Sequence, residues 1–287
     1  MKTHHTDQSI KTHVIEVALE HSPMMTSPSH NIESCKVMGV RINHLDHEQI
    51  RARMSEWIRT PIHGRTVVFA NTHVVMESRQ SPALAEAVNA ATLVVPDGMP
   101  LVIAVRSNGY PMRDRADGPG LMHKVLTHED CRTWRHYFYG STQDVLDGIL
   151  QKFPNANIAG VHAPPFRALT PEEDATIVDE INASGTDVLW VGLGCPKQER
   201  WMFEHAARLN VPVILGVGQA FDILAGAKKR APLWMCKTGL EWLYRLLQEP
   251  RRLWKRYLFH NTRFILLYLQ ERIVRVFQNN RSYKVTS

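Results

Sequence analysis

The sequence has no uninterrupted run approaching the ~18 apolar residues that a membrane span needs, so the chain is not expected to cross a bilayer. Nor does its N-terminus show the charged-then-apolar layout of a secretory signal. Cysteine is scarce: Cys35, Cys131, Cys195 and Cys236 are scattered without C-x-x-C spacing. That removes a disulfide framework and a cysteine zinc site, and it fits a reducing compartment. The commonest enzyme signatures are also missing, with no G-x-x-x-x-G-K-[ST], no H-E-x-x-H and no G-x-S-x-G. Gly192-x-Gly194 and Gly216-x-Gly218 each begin a G-x-G-x-x-G, but Lys197 and Phe221 stand where its third glycine belongs. The dinucleotide fingerprint is therefore absent. No acidic D-x-D follows a strand and no His/Cys ligand cluster is legible, so the sequence implies neither a metal nor a cofactor.

At 287 residues and 44% hydrophobic content, the chain can bury a full core and is long enough for one large domain with an appendage. Its net charge of +6 hides an asymmetry. Residues 228–287 hold fourteen Lys and Arg against three Glu, whereas the rest holds twenty against twenty-five acids. A basic tail on an acidic body implies an anionic partner. Residues 1–34 are polar, contain five histidines that match no ligand motif, and read as a disordered leader.

From residue 35 to 238 short β-branched runs alternate with amphipathic stretches. Strands are predicted over 37–42, 66–70, 92–95, 136–139, 158–162, 188–193 and 213–217, and helices over 48–59, 83–90, 120–128, 143–153, 172–182 and 198–209. Alternation of this kind implies an α/β fold with a largely parallel sheet covered by helices on both faces.

Five of these strands end in small or hydrogen-bonding residues: Asn71-Thr72-His73, Pro96-Asp97-Gly98, Gly140-Ser141-Thr142, Gly194-Cys195-Pro196-Lys197-Gln198 and Gly218-Gln219. Converging at the carboxyl edge of a parallel sheet, they would line a crevice suited to a nucleotide. The candidate binding residues there are Asn71, Thr72, Gly140, Gly194, Gln198 and Gln219. Where such loops run straight into helices, backbone N–H groups would favour a diphosphate. Asp97 ends its strand where a rigidly held carboxylate could act as a general base.

The motifs Phe69-Ala70-Asn71, Pro96-Asp97-Gly98-Met99-Pro100, Arg115-x-x-Gly118-Pro119-x-Leu121-Met122, Gly192-Leu193-Gly194-Cys195-Pro196-Lys197-Gln198-Glu199 and Gly239-Leu240-Glu241-Trp242-x-x-Arg245 resemble, in order and spacing, those of the WecG/TagA/CpsF glycosyltransferases. The resemblance covers about residues 37–259. It implies a Rossmann-like body and an inverting, metal-independent transfer from a UDP-sugar to a polyprenyl-diphosphate-linked sugar, made in the cytoplasm by a peripheral enzyme on the inner face of a bacterial membrane. The donor sugar would be N-acetylmannosamine, its uronic acid, or a hexose such as glucose. By the same resemblance Asp97 matches the general base, while Asn71, Arg115 and Gln198 match residues that position substrates. The chain departs from the family pattern at Phe69, where many members have Thr, and at Pro119-Gly120, where many have Ser-Asp; both bear on which sugars are used.

Residues 239–287 read as a basic amphipathic appendage. Thr238-Gly239-Leu240-Glu241 has capping-box spacing and predicts a helix that Pro250 closes. Beyond it, Arg251, Arg252, Lys255 and Arg256 interleave with Leu253, Trp254, Tyr257 and Leu258, followed by Ile265, Leu269, Ile273 and Val276 at helical spacing. Cationic helices carrying Trp and Tyr bind anionic membrane surfaces. By resemblance, Arg245 and the arginines after Pro250 would also hold the acceptor diphosphate. Competing readings are a nucleotide-cofactor oxidoreductase, a non-catalytic nucleotide binder, or a nucleic-acid binder; the last is disfavoured by an acidic body without RNP-type aromatics. The sequence leaves open whether the chain forms a homo-oligomer.

Overall fold

The computed structural model describes residues 32–60 and 62–285, the side chains of residue 256 and residues 275–285 excepted. Most of the leader predicted over 1–34 lies outside them. Described residues begin on a hairpin of β1 (Ser34–Val37) and β2 (Val40–Asn43), paired antiparallel. The sequence reading made residues 37–42 one strand of the main sheet, and the structure corrects it. Met38 and Gly39 both take left-handed φ values, 50° and 89°, which is the two-residue turn that reverses a chain between antiparallel strands. Asn43 ties the hairpin to the body by accepting a 2.9 Å bond from the Val94 amide.

The other six predicted strands form one parallel sheet. They are β3 (Arg65–Ala70), β4 (Leu93–Pro96), β5 (His136–Gly140), β6 (Ile158–His162), β7 (Val188–Gly192) and β8 (Val213–Gly216), in the order β4-β3-β8-β7-β5-β6. The inner strands are apolar along their length because helices cover both faces, and Trp190, Phe138, Leu189 and Ile214 are fully buried. Each side chain of this kind contributes about 1.5–3 kcal/mol on burial. Helices follow the strands, giving the expected Rossmann-like α/β architecture.

Local sequence explains the helix starts. Asp46 and Gln49 form a capping box on α1 (His47–Ile58), Asn71 caps α2 (Thr72–Gln80), and Ser81 caps α3 (Pro82–Ala90). After α4 (Met99–Ser107), α5 (Gly118–Thr127) is capped by Asp117. By contrast α6 (Gln143–Lys152) has no side-chain cap, whereas α7 (Pro171–Ala183) has a Thr170–Glu173 box. No side chain caps α8 (Lys197–His205) or α9 (Ala220–Ala225) either.

Register positions the chemistry. Phe69 pairs with Val95 and Ala70 with Pro96, so Asn71 and Asp97 leave neighbouring strands side by side, and the Asp97 amide donates to the Ala70 carbonyl at 2.8 Å.

The C-terminal region is helical: α10 (Leu233–Thr238), α11 (Glu241–Gln248), α12 (Pro250–Lys255), a π-helical turn (Arg256–Asn261) and α13 (Thr262–Val285). Two details differ from expectation. Thr238 does not cap α11; its hydroxyl donates back to the Trp234 carbonyl at 2.8 Å, and Gly239 ends α10 at φ 79°. Pro250 opens α12 rather than merely closing α11, because a first helical position has no use for its missing N–H. Helix α13 lays Phe264 and Tyr268 on the body, the Tyr268 hydroxyl donating to the Ala104 carbonyl at 3.2 Å. The opposite stripe of Ile265, Leu269 and Ile273 is more than half exposed. Among the described residues no helix is long and apolar enough to cross a membrane.

Candidate active site

All five predicted strand ends converge on one crevice. Asn71 after β3, Asp97 after β4, Ser141 and Thr142 after β5, Gly194 after β7 and Gln219 after β8 line a polar cavity of about 470 Å³. The N-termini of α6, α8 and α9 border it. Because none of the three has a side-chain cap, the crevice meets N–H groups and the positive ends of helix dipoles.

A second, smaller cavity of about 90 Å³ adjoins it, walled by Arg115, Trp242, Tyr257 and His260. Asn71, Asp97, Glu241 and Arg245 line both. Beyond the small cavity lies an apolar groove of about 520 Å³ between α4 and the C-terminal helices, lined by Met99, Ile103, Trp254, Leu258 and Ile265. Thr72, Trp242 and Tyr257 are common to the small cavity and the groove. The three spaces thus run polar, charged, apolar in sequence, with Asp97 at the first junction.

Asp97 is held in an unusual state. Burial is the largest influence and raises its pKa; Arg115 opposes this, the carboxylates of Asp117 and Glu241 add to it, and Arg245 opposes it again. The result is a pKa of about 7, the range in which a general base is most effective. Burial also works against the charge of Arg115, but Asp97, Glu241 and Asp117 outweigh it and hold the guanidinium above its ordinary value. Arg115 ion-pairs with Glu241 at the start of α11, lies 3.6 Å from Asp117, and reaches the Asp97 carbonyl at 3.5 Å. Asp117 also receives Arg230 at 2.8 and 2.9 Å.

The remaining predicted residues divide by what their side chains touch. Asn71 uses its oxygen on the His73 and Val74 amides at 3.0 and 3.2 Å, so it builds the crevice wall by starting α2. The Thr72 hydroxyl donates to Asn261 at 2.7 Å, tying α2 to the π-helical turn. Gly140 does not line the crevice; it faces Gly192, where a Cβ would come within 2.6 Å of backbone, and its neighbours Ser141 and Thr142 do the lining. Gln198 is buried with its amide spent on the loop: it accepts from the Gly194 amide at 3.1 Å and donates to the Gly216 carbonyl and to Glu199, both at 3.0 Å. It braces the two glycine-rich turns. Gln219 accepts from Arg245, whose Nε has no hydrogen-bond partner although buried.

In the basic tail, Arg252 lines the crevice and pairs with Glu249, Lys255 sits over the Trp254 ring, and Arg251 is exposed away from the three cavities. The Arg256 side chain lies outside the described residues. Both family departures, Phe69 and Pro119, line the crevice.

Sequence reasoning missed Glu241 as the partner of Arg115, although it stands in the Leu-Glu-Trp motif. It also missed a group of side chains that could hold a metal ion. His73 and Glu77 on α2 meet His260 of the π-helical turn with their ligand atoms within 4.8 Å of one another, a grouping that was not legible in the sequence. The i,i+4 spacing of His73 and Glu77 was the visible signal, but the third ligand is remote in sequence.

Comparison with known proteins follows the same line. The model of the "Glycosyl transferase WecG/TagA/CpsF family" matches residues 35–278. Curated relatives include an N-acetylglucosaminyldiphosphoundecaprenol N-acetyl-beta-D-mannosaminyltransferase of Bacillus spizizenii, 31% identical over 199 residues that cover 68% of this chain and 75% of the relative. A protein of the same name from Staphylococcus aureus is 32% identical over 191 residues, covering 65% and 73%.

Proposed function

Because the chain belongs to the WecG/TagA/CpsF family of glycosyl transferases, we propose that it moves a hexosyl unit from a UDP-sugar to a polyprenyl-diphosphate-linked sugar, with inversion, in the synthesis of a bacterial surface or exopolysaccharide. The observation that carries this reading is the position of Asp97, a carboxyl with a pKa of about 7 at the seam between a polar crevice and a smaller charged cavity.

UDP occupies the crevice, its diphosphate against the uncapped helix ends and within reach of Arg245, Lys228 and Arg252. The acceptor's diphosphate lies by Arg115 and Arg245, and its polyprenyl chain leaves along the apolar groove. Asp97 then takes the proton from the acceptor hydroxyl as that oxygen attacks the anomeric carbon from the face opposite UDP. The C1–O bond to UDP breaks with its electrons, and the leaving diphosphate is stabilised by arginines and helix dipoles, so the step needs no metal ion. Residues 35–238 supply the base and most of the donor site, and residues 239–287 add Arg245 and Arg252 to it, complete the acceptor site and meet the membrane's inner face.

The relatives' printed name supports N-acetylmannosamine as donor and lipid-linked N-acetylglucosamine as acceptor. Phe69 and Pro119 replace hydrogen-bonding side chains in the crevice, so its uronic acid and plain hexoses such as glucose remain in the donor set. A panel of UDP-sugars, each offered with lipid-diphosphate-linked GlcNAc and glucose, tests the proposal. A new disaccharide of inverted anomeric configuration is expected from one donor. Absence of transfer from every UDP-sugar, together with no UDP binding by titration, would overturn it.

A further inference from the structure

His73, Glu77 and His260 form a cluster that the transfer chemistry does not use. His73 and Glu77 lie one turn apart on the same face of α2, and the π-helical turn brings His260 onto them. The Glu77 Oε1 is 3.8 Å from His73 Nδ1 and 3.8 Å from His260 Nε2, while the imidazoles stand edge to face with centroids 5.0 Å apart. The three side chains are only 14%, 30% and 22% exposed, in the order His73, Glu77, His260. Next to them the Thr72–Asn261 hydrogen bond fixes the same two elements in register.

From this geometry we propose that His73, Glu77 and His260 bind one zinc-class divalent ion that fastens the C-terminal helices to α2. Two imidazoles and a carboxylate are a three-ligand set that zinc accepts, leaving a fourth position for water. Around a tetrahedral zinc with bonds near 2.0–2.1 Å, ligand atoms stand roughly 3.3 Å apart, so the two 3.8 Å separations from Glu77 close by about half an ångström and the two imidazoles, within 4.8 Å, by at most about 1.5 Å. Mg²⁺ and Ca²⁺ are poor matches, since both prefer oxygen ligands in larger number. The ion would act by position. His73 and His260 both wall the small cavity beside Asp97, so joining them fixes the wall that the C-terminal helices contribute.

The test uses the full chain, stripped of metal and titrated with ZnCl₂ by calorimetry, with amide exchange measured over residues 256–262. One tight equivalent and slowed exchange are expected. Loss of an outer-shell partner alone costs 10–100-fold in affinity, so removing a ligand in His260→Ala or Glu77→Gln should weaken the tight site more than about 100-fold and cancel the exchange effect. The leader histidines His4, His5, His13, His21 and His30 are a rival source of binding. Their combined change to Ala should leave the tight site intact. The proposal is overturned if the leader variant loses the tight equivalent, if His260→Ala and Glu77→Gln both keep it, or if zinc binds without slowing exchange at 256–262.

Discussion

Asp97 keeps its proton until about pH 7, and a base works only when deprotonated, so kcat/KM should rise with pH through that value. Asp97→Asn preserves size while removing proton affinity, and turnover should fall by ~10²-fold to 10⁴-fold, with UDP binding by titration little changed. The same shift affects stability. Asp97 has a pKa of 3.8 when unfolded and about 7 when folded, so the folded state holds the extra proton between these values and stability from this group is lost as pH rises across the window. Asp97→Asn should therefore melt at a higher temperature than the parent at pH 8, with the gain disappearing as pH falls toward 4. Glu241→Gln removes a carboxylate that raises the Asp97 pKa, and should move the rising limb of the rate profile to lower pH. Asp97 and Asn71 were legible because strand ends and turn chemistry are local. Glu241 and His260 were not, since each acts through a partner far away in sequence. Gln198 was legible as important but not as a brace, because only the folded loop shows both ends of its amide engaged.

The alternation of apolar runs with amphipathic stretches located six parallel strands, because strands buried on both faces must be apolar throughout. It failed at residues 37–42, where two left-handed residues fold an apparent strand into a hairpin. It failed again at Thr238, where capping-box spacing coincided with a helix end. At α13 the helical period was right and the side chains divide, with Phe264 and Tyr268 inward and Ile265, Leu269 and Ile273 outward. Charge reversal at Arg251, Arg252, Lys255 and Arg256 should abolish sedimentation with anionic vesicles, each cation being worth roughly 1 kcal/mol near such a surface. The fold should survive, since the exposed charges of Arg251, Arg252 and Lys255 add little to stability. Ile265→Gln with Leu269→Gln and Ile273→Gln should lower vesicle binding too, but the residue that remains should still weaken with salt, because only its electrostatic part is screened.

Across the whole molecule, the site is assembled from two sources. Strand ends of the sheet hold most of the crevice and Asp97, while Glu241, Trp242, Arg245 and Tyr257 bring the other wall from the C-terminal helices. If the arginines and helix ends meet the leaving diphosphate as proposed, metal-stripped enzyme should show no increase in kcat with Mg²⁺ or Mn²⁺. Where chemistry and wall come from different stretches of one chain, each can be exchanged once the residues that face both cavities are kept. A chimera that takes residues 239–285 from a relative, with Glu241, Arg245 and Arg252 kept, should inherit that relative's acceptor while keeping the original donor. A lineage of such enzymes could then diversify its polymers by recombination at a single joint, trading acceptor ends among bodies that each retain one nucleotide sugar.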